Sequence, residues 1–541
     1  MDAYSLTHGT RGLLLALGLT ALPVWIVLAR AHARLLAWML SAPAAAILTI
    51  VGSVIGSILS TPIAAPLGPS SHNAAAAAVN ALSLILVGYL GGVQLAKRRS
   101  TEYYKRGAVV TSLSPASRQG ASLFPSPFKG EEPGGAGKRG GGRGGVTLAG
   151  LPVSYADETK HFKLIGTTGT GKSTAMREIL STALARGDRA VIADPDGGYL
   201  ERFYDPVRGD VILNPFDGRS ATWDLFAEIT TSYDVDQLTH ALITDTESAS
   251  GREWRGYART FLTAVLRRFH EQRRRDIPTL WRTVAIAPKE DLEALLQGTP
   301  AQPFLTAETA RMLGAIRAIA VSALAPLEYI ADQRTTPISI RSWIRTGQGA
   351  LFMPYQATQI AALRSLISAW MRLAIFETMN RTETLNDTRN GPATDQRLWF
   401  MVDELDALGA IDGLKDALAR LRKFGGRCVL GFQSIAQVSS TYGSGEAQTI
   451  VENCGNTLIL RCSASEGGGT SRFASRLIGD REIVRLVTSK QRQPERWLAS
   501  TGTSEHHVIE AAVMASEIEQ LPDLEGLLKF ASEKEWRRVI L

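Results

Sequence analysis

The chain is poor in cysteine: only Cys428, Cys454 and Cys462 occur in 541 residues, with no C-x-x-C pair. That spacing excludes a zinc ribbon or finger and gives no redox pair. The eight histidines are scattered apart from His506-His507, so no imidazole-rich metal site is indicated beyond Mg²⁺. Acidic excess is also missing. With 59 Lys and Arg against 52 Asp and Glu, the net charge is +7, which permits an anionic partner, nucleic acid or membrane, without selecting one. The length suggests about three domains.

Charge is absent altogether from three long N-terminal runs, residues 12–29, 35–59 and 74–96. A helix needs roughly 20 apolar residues to cross a bilayer, and the second and third runs are the most secure. A cleaved signal peptide fits the first run poorly because two further spans follow. Residues 60–73 hold no Lys or Arg, whereas Lys97, Arg98, Arg99, Lys105 and Arg106 follow the third run. The positive-inside rule therefore places residues from about 97 onward in the cytoplasm. Residues 1–106 read as a transmembrane anchor. Gly52-x-x-x-Gly56 and Gly88-x-x-x-Gly92 let helices approach closely, dimerisation being one use of such motifs. Residues 107–150 lack a hydrophobic period, and ten of the 21 from Gly130 to Gly150 are glycine, so a flexible linker is expected.

What is present is Gly166-Thr167-Thr168-Gly169-Thr170-Gly171-Lys172-Ser173, followed by Thr174, between the short strand Phe162–Ile165 and a helix over Ala175–Ala185. The spacing is that of a phosphate-binding loop. Its glycines let backbone N–H groups surround a phosphate at the positive end of a helix. Lys172 then reaches the β/γ-phosphates, and the Ser173 hydroxyl ligates Mg²⁺. Strand, helix and the strand Ala190–Asp194 make a βαβ unit, which predicts an α/β domain with a parallel sheet. Leu398–Val402 is an apolar strand ending in Asp403-Glu404. Asp403 is placed to hold the Mg²⁺ shell, and Glu404 to orient or deprotonate the attacking water. Gln433, just past the strand ending at Phe432, falls at the strand ends near the γ-phosphate.

From residue 231 to 335 the period is helical, predicting an all-α insertion between residues 151–230 and 336–541. Trp254, Tyr257, Phe261, Leu262 and Val265 lie on one face of a helix. Eight arginines between 252 and 275, against Glu253 and Glu271, are either a solvated face or a surface for a nucleic-acid backbone.

The order of these passages, together with Ala193-Asp194-Pro195, Asn214-Pro215-Phe216-Asp217, Ile340-Arg341-Ser342-Trp343-Ile344, Ile367-Ser368-Ala369-Trp370, Gly431-Phe432-Gln433-Ser434 and Leu521-Pro522-Asp523-Leu524, resembles the type IV coupling proteins of bacterial conjugation, the TrwB/TraD branch. The resemblance implies a P-loop, RecA-like domain with the all-α insertion, anchored in the bacterial inner membrane by N-terminal transmembrane helices. It implies ATP with Mg²⁺ as cofactors and a homo-oligomer, a hexameric ring. The implied partners are DNA, a relaxase or relaxosome, and type IV secretion channel components. It makes Gln433 the nucleotide sensor and Arg422 an arginine acting across a subunit boundary, and it matches Lys160 to a basic position. Gly445 stands where relatives often have Lys, which leaves Arg461 as the candidate replacement cation. The short segment after the last strand suggests that the long tail some members use to dock the relaxosome is missing. The competing readings are a receptor for protein substrates with ATP as a switch, or an FtsK-like or secretion ATPase.

Overall fold

The computed structural model describes residues 10–30, 35–64, 69–96, 102–111, 145–245, 249–381, 397–464, 469–491 and 500–541. Most of the expected linker, residues 112–144, lies outside the described residues. So do Lys97, Arg98 and Arg99. The chain divides into two compact units, residues 1–105 with 483–508, and 106–482 with 509–541.

In the first unit the three apolar runs form helices α1 (Thr10–Arg30), α2 (Leu35–Ala64) and α3 (Pro69–Ala96). Leu40–Ser60 and Ala74–Gln94 are long and apolar enough to cross a membrane, while Leu13–Ala29 is shorter. Both small-residue motifs are used inside this one chain. A Cβ on Gly52 would lie 2.9 Å from Leu84 Cδ2, and one on Gly56 would lie 2.1 Å from Asn80 Oδ1. On Gly88 it would lie 2.4 Å from the Thr20 carbonyl oxygen. Thr20 and Thr49 hydroxyls hydrogen-bond at 2.7 Å between α1 and α2, and each also lies within reach of a carbonyl of its own helix, Ala16 and Ala45. A three-stranded sheet orders Glu102–Gly107, Asp480–Gln491 and Ser500–Ala511.

The second unit is built on a ten-stranded sheet. Its strands are β1 (Val110–Thr111), β2 (Phe162–Ile165), β3 (Arg189–Pro195), β4 (Val211–Ile212), β5 (Ala350–Tyr355), β6 (Leu398–Val402), β7 (Gly426–Phe432), β8 (Asn456–Ile459), β9 (Glu525–Lys529) and β10 (Trp536–Ile540). Their spatial order is β1-β10-β9-β8-β2-β7-β6-β3-β5-β4. From β8 to β4 all pairings are parallel, and β9 and β10 add antiparallel strands. Ordered chain thus extends past both edges of the expected linker, since Val110–Thr111 joins β10 and Thr147–Leu148 pairs Leu151–Pro152.

Every residue of β5, β6 and β7 is buried, as a parallel sheet covered on both faces requires. Side chains alternate between the covers. Trp399, Met401 and Val429 pack with Met176 and Ile179 of helix α4 (Lys172–Ala185). Phe400, Val402 and Leu430 belong to the opposite core, which runs on without a break into the insertion. Lys163, the odd residue of β2, is buried with its ammonium donating to the carbonyls of Val451 and Cys454. All three cysteines are free and buried.

The insertion comprises helices between Ser232 and Ala331, the longest being Ala249–Glu271, where Phe261, Leu262 and Val265 are fully buried. Its entry and exit strands, Thr222–Trp223 and Pro337–Ile338, pair in parallel. Glu228 seals this base: its carboxylate accepts from Trp223 Nε1, Ser339 Oγ and the backbone N–H groups of Ile340 and Arg341.

Candidate active site

The phosphate loop leaves the C-terminal end of β2 and enters α4. Gly169 and Gly171 adopt φ of 79° and 116°, a region that L side chains avoid, so the turn depends on glycine. Closeness adds a second requirement at Gly171, where a Cβ would meet Leu541 Cδ1 at 2.9 Å and Leu524 Cδ2 at 3.0 Å. The loop is pinned on three sides. Gly166 N–H donates to the Phe432 carbonyl, Thr167 N–H to that of Arg461, and Leu524 N–H to that of Thr170.

Lys172 is buried, and its Nζ donates to the loop carbonyls of Gly166 at 2.7 Å and Thr167 at 3.2 Å. Burial lowers its pKa, and the charges of Asp403 and Glu404 oppose that shift. Phosphate oxygens entering the loop compete for these same donors. Ser173 Oγ donates to Asp403 Oδ2 at 2.6 Å. One hydroxyl and one buried carboxylate held together form an oxygen donor pair suited to a hard cation. They fit Mg²⁺, which takes one or two protein oxygens and fills its octahedron with water and substrate phosphates. Glu404 comes next on the same strand end, half-buried, its pKa raised by burial and by Asp403. A raised carboxylate is the stronger proton acceptor at neutral pH, as a base toward water requires.

Gln433 stands one strand over. Its Nε2 donates to Glu404 Oε1, and its Oε1 accepts from Thr168 Oγ1 at 3.2 Å. The amide thereby spans from the tip of the phosphate loop to the acid pair. Thr168 and Thr174 are exposed, while Thr170 is buried with its hydroxyl on the Thr167 carbonyl.

The two candidate cations differ in placement: Arg461 lies beside the loop, its carbonyl accepting from Thr167, whereas Arg422 does not. Arg461 follows β8, and its guanidinium pairs with Asp523 Oδ1 at 2.6 Å in the Leu521–Leu524 turn of the same chain. Arg422 is exposed in the turn Arg422–Phe424, before the start of β7. It sits at the N-terminal edge of the sheet, whereas the phosphate loop is at the C-terminal edge, a strand length away at ~3.3 Å per residue. Lys160 pairs with Asp157.

Two further residues lie near the acids: Asp194, which belongs to the passage Ala193-Asp194-Pro195 but had no role assigned from sequence, and Tyr199, which no motif marked. Asp194, at the end of β3, accepts from the backbone N–H groups of Tyr199 and Leu200, and burial raises its pKa to about 6. Tyr199 donates its hydroxyl to Asp403 Oδ2 at 2.8 Å. For Tyr199 the available sequence signal was Gly197-Gly198, shortly after the end of β3, a turn that folds the next helix back over the strand ends.

The arginine-rich helix is largely self-satisfied. Arg259 pairs with Asp245, Arg267 with Asp236 and Arg268 with Glu271, and Arg255 donates to the Thr244 carbonyl. Arg273, Arg274 and Arg275 are exposed beyond the helix end.

A phosphate loop, a strand-end acid pair and a bridging amide on one edge of a parallel sheet define a nucleotide-binding site of the P-loop class on a RecA-like fold. The model of a type IV secretion-system coupling protein DNA-binding domain matches residues 145–541. Coupling protein TraD of Escherichia coli strain K12 is 30% identical over 396 residues, which are 72% of this chain and 53% of TraD. The chain therefore spans about half the length of that relative. The conjugative coupling protein TrwBΔN70, unbound, aligns at 30% identity with a TM-score of 0.67 over 81% of this chain and 93% of its own. TrwB with the non-hydrolysable ATP analogue ADPNP aligns at 29% and 0.67, over 81% and 94%. TrwB with ADP and Mg²⁺ aligns at 30% and 0.66, over 81% and 93%. This chain belongs to the type IV secretion-system coupling protein family.

Proposed function

We propose that this protein is an ATP-driven DNA translocase of conjugation, anchored in the bacterial inner membrane. It takes a relaxase-bound DNA substrate to a type IV secretion channel, working as a homo-oligomer, a hexamer by the family resemblance. The observation that carries the hydrolytic part is the convergence of Lys172, Ser173, Asp403, Glu404 and Gln433 at one sheet edge. The DNA part is supported by membership of the family, whose matching model is described as DNA-binding.

In this reading the loop N–H groups and Lys172 bind the ATP phosphates. Ser173 and Asp403 would hold Mg²⁺, which would supply neutralisation of the phosphate charge. Glu404 accepts a proton from the attacking water, and Gln433 orients that water or registers the γ-phosphate. Arg422 is assigned to the site of a neighbouring subunit on the family resemblance, a reading supported by its position at the opposite edge of its own sheet.

The test is ATPase activity of the purified full chain at stated low salt, because phosphate contacts weaken steeply with ionic strength. Single- or double-stranded DNA should stimulate it, and Lys172→Ala or Glu404→Gln should abolish it. Wild-type activity indifferent to both kinds of DNA would count against translocation. A second reading is favoured by the internal pairing of Arg259, Arg267 and Arg268: the insertion is a receptor for protein substrates, with ATP as a switch. Normal DNA transfer by Glu404→Gln would support it.

A further inference from the structure

Both hydrogen-bond donors to the Asp403 carboxylate converge on one oxygen: Ser173 Oγ at 2.6 Å and Tyr199 Oη at 2.8 Å, both to Oδ2. Ser173 has to serve the cation as well: a lone pair of its oxygen ligates the metal while its O–H still donates to Asp403. Tyr199 is under no such demand. It is 2% exposed, its backbone N–H is held by both oxygens of Asp194, and the Arg177 guanidinium lies 5.7 Å from its ring centroid. Helix Gly198–Phe203 is thus fastened to the end of β3, and it delivers one rigid hydroxyl behind the acid of β6.

We propose that Tyr199 is a positioning residue for Mg²⁺: it holds Asp403 in the rotamer that receives the cation. The inference rests on the nucleotide-hydrolysis reading above. The phenol donates to the oxygen facing Ser173, which leaves the other carboxylate oxygen and the remaining lone pairs for metal-bound water. Partners of this kind, one bond removed from a metal, typically change affinity 10–100-fold when removed.

The experiment measures binding of a fluorescent ADP analogue to the full chain as MgCl₂ is titrated, with no turnover involved. Tyr199→Phe should raise the half-saturating Mg²⁺ concentration about tenfold, while analogue binding in EDTA stays within about twofold. Tyr199→Met, which also lacks the hydroxyl, carries the same expectation should the Phe variant fail to fold. In an Asp403→Asn background the Tyr199 substitution should add no further shift. An unchanged Mg²⁺ midpoint, an equal shift in both backgrounds, or an equal loss of binding in EDTA would each overturn the positioning role. A wild type that binds the analogue without any Mg²⁺ dependence would sink the hydrolysis reading and this inference together. Normal Mg²⁺ dependence unaltered by Tyr199→Phe would sink this inference alone.

Discussion

Gln433 holds Glu404 and the phosphate loop with the two ends of one amide: Nε2 donates to the carboxylate, and Oε1 accepts from Thr168. An incoming γ-phosphate has to meet this bridge. Gln433→Ala removes a hydrogen bond to an ionised group, worth ~1.5–3 kcal/mol, so kcat should fall roughly 10–100-fold with little change in KM. Steady-state ATPase kinetics check this. A rise in KM with kcat unchanged would mean that the amide only helps binding.

Gly431 is the tightest backbone approach next to the acid pair. A Cβ there would sit 2.0 Å from the Asp403 carbonyl oxygen. Gly431→Ala should therefore push β6 and β7 apart at the site and lower ATPase at least ~100-fold, since a displacement of ~1 Å costs about that much. The same change at Gly445, which has open space, should be silent.

His161 joins the start of β2 to the helix that carries Arg422. Its Nδ1 accepts from Cys428 N–H, so Nε2 carries the proton donated to the Leu418 carbonyl. Burial lowers its pKa from 6.5 to about 4. Between those values the unfolded chain binds a proton that the folded chain excludes, so stability rises with pH across this window. Acidifying from pH 7 to 4 should cost about 3 kcal/mol at this site. His161→Asn should be less stable at pH 7 but show a shallower pH dependence of the denaturation midpoint. Parallel profiles would refute the assignment.

Arg422 and Arg461 differ in placement, so their variants should complement differently. Mixing Lys172→Ala subunits with Arg422→Ala subunits should restore part of the ATPase, because mixed interfaces of one of the two orders bring an intact loop against an intact arginine. Arg461→Ala should show no such recovery and should match Asp523→Ala, its partner in the same chain. Recovery for Arg461 in mixed rings would reverse the assignment.

The phosphate loop and the acid pair were legible because their chemistry is local: eight consecutive residues, and a strand followed directly by two acids. The parallel sheet followed from the alternation of buried strands with helices. Tyr199 was not legible, since nothing in a tyrosine 204 residues before Asp403 indicates that the two will touch. The arginines of helix Ala249–Glu271 read equally well as a solvated face or a DNA surface. Which carboxylates neutralise them depends on Asp236 and Asp245, contributed by neighbouring segments. Likewise, the paired glycines of α2 and α3 announce close approach without naming the partner, which is another helix of the same chain.

The wide separation of the site's halves has a consequence in time. Ser173 and Asp403 are 230 residues apart, and Thr168 and Gln433 are 265 apart. At ribosomal speeds of about 5–20 residues per second, the loop precedes its acids by roughly ten to fifty seconds. Strand β2 needs β7 and β8 as neighbours, so until they arrive it is an unpaired apolar segment, while the insertion between them can already begin to fold. Nucleotide cannot guide this early stage. ATP can reward only a nearly finished chain, so the N-terminal apolar helices are made long before the nucleotide site is complete.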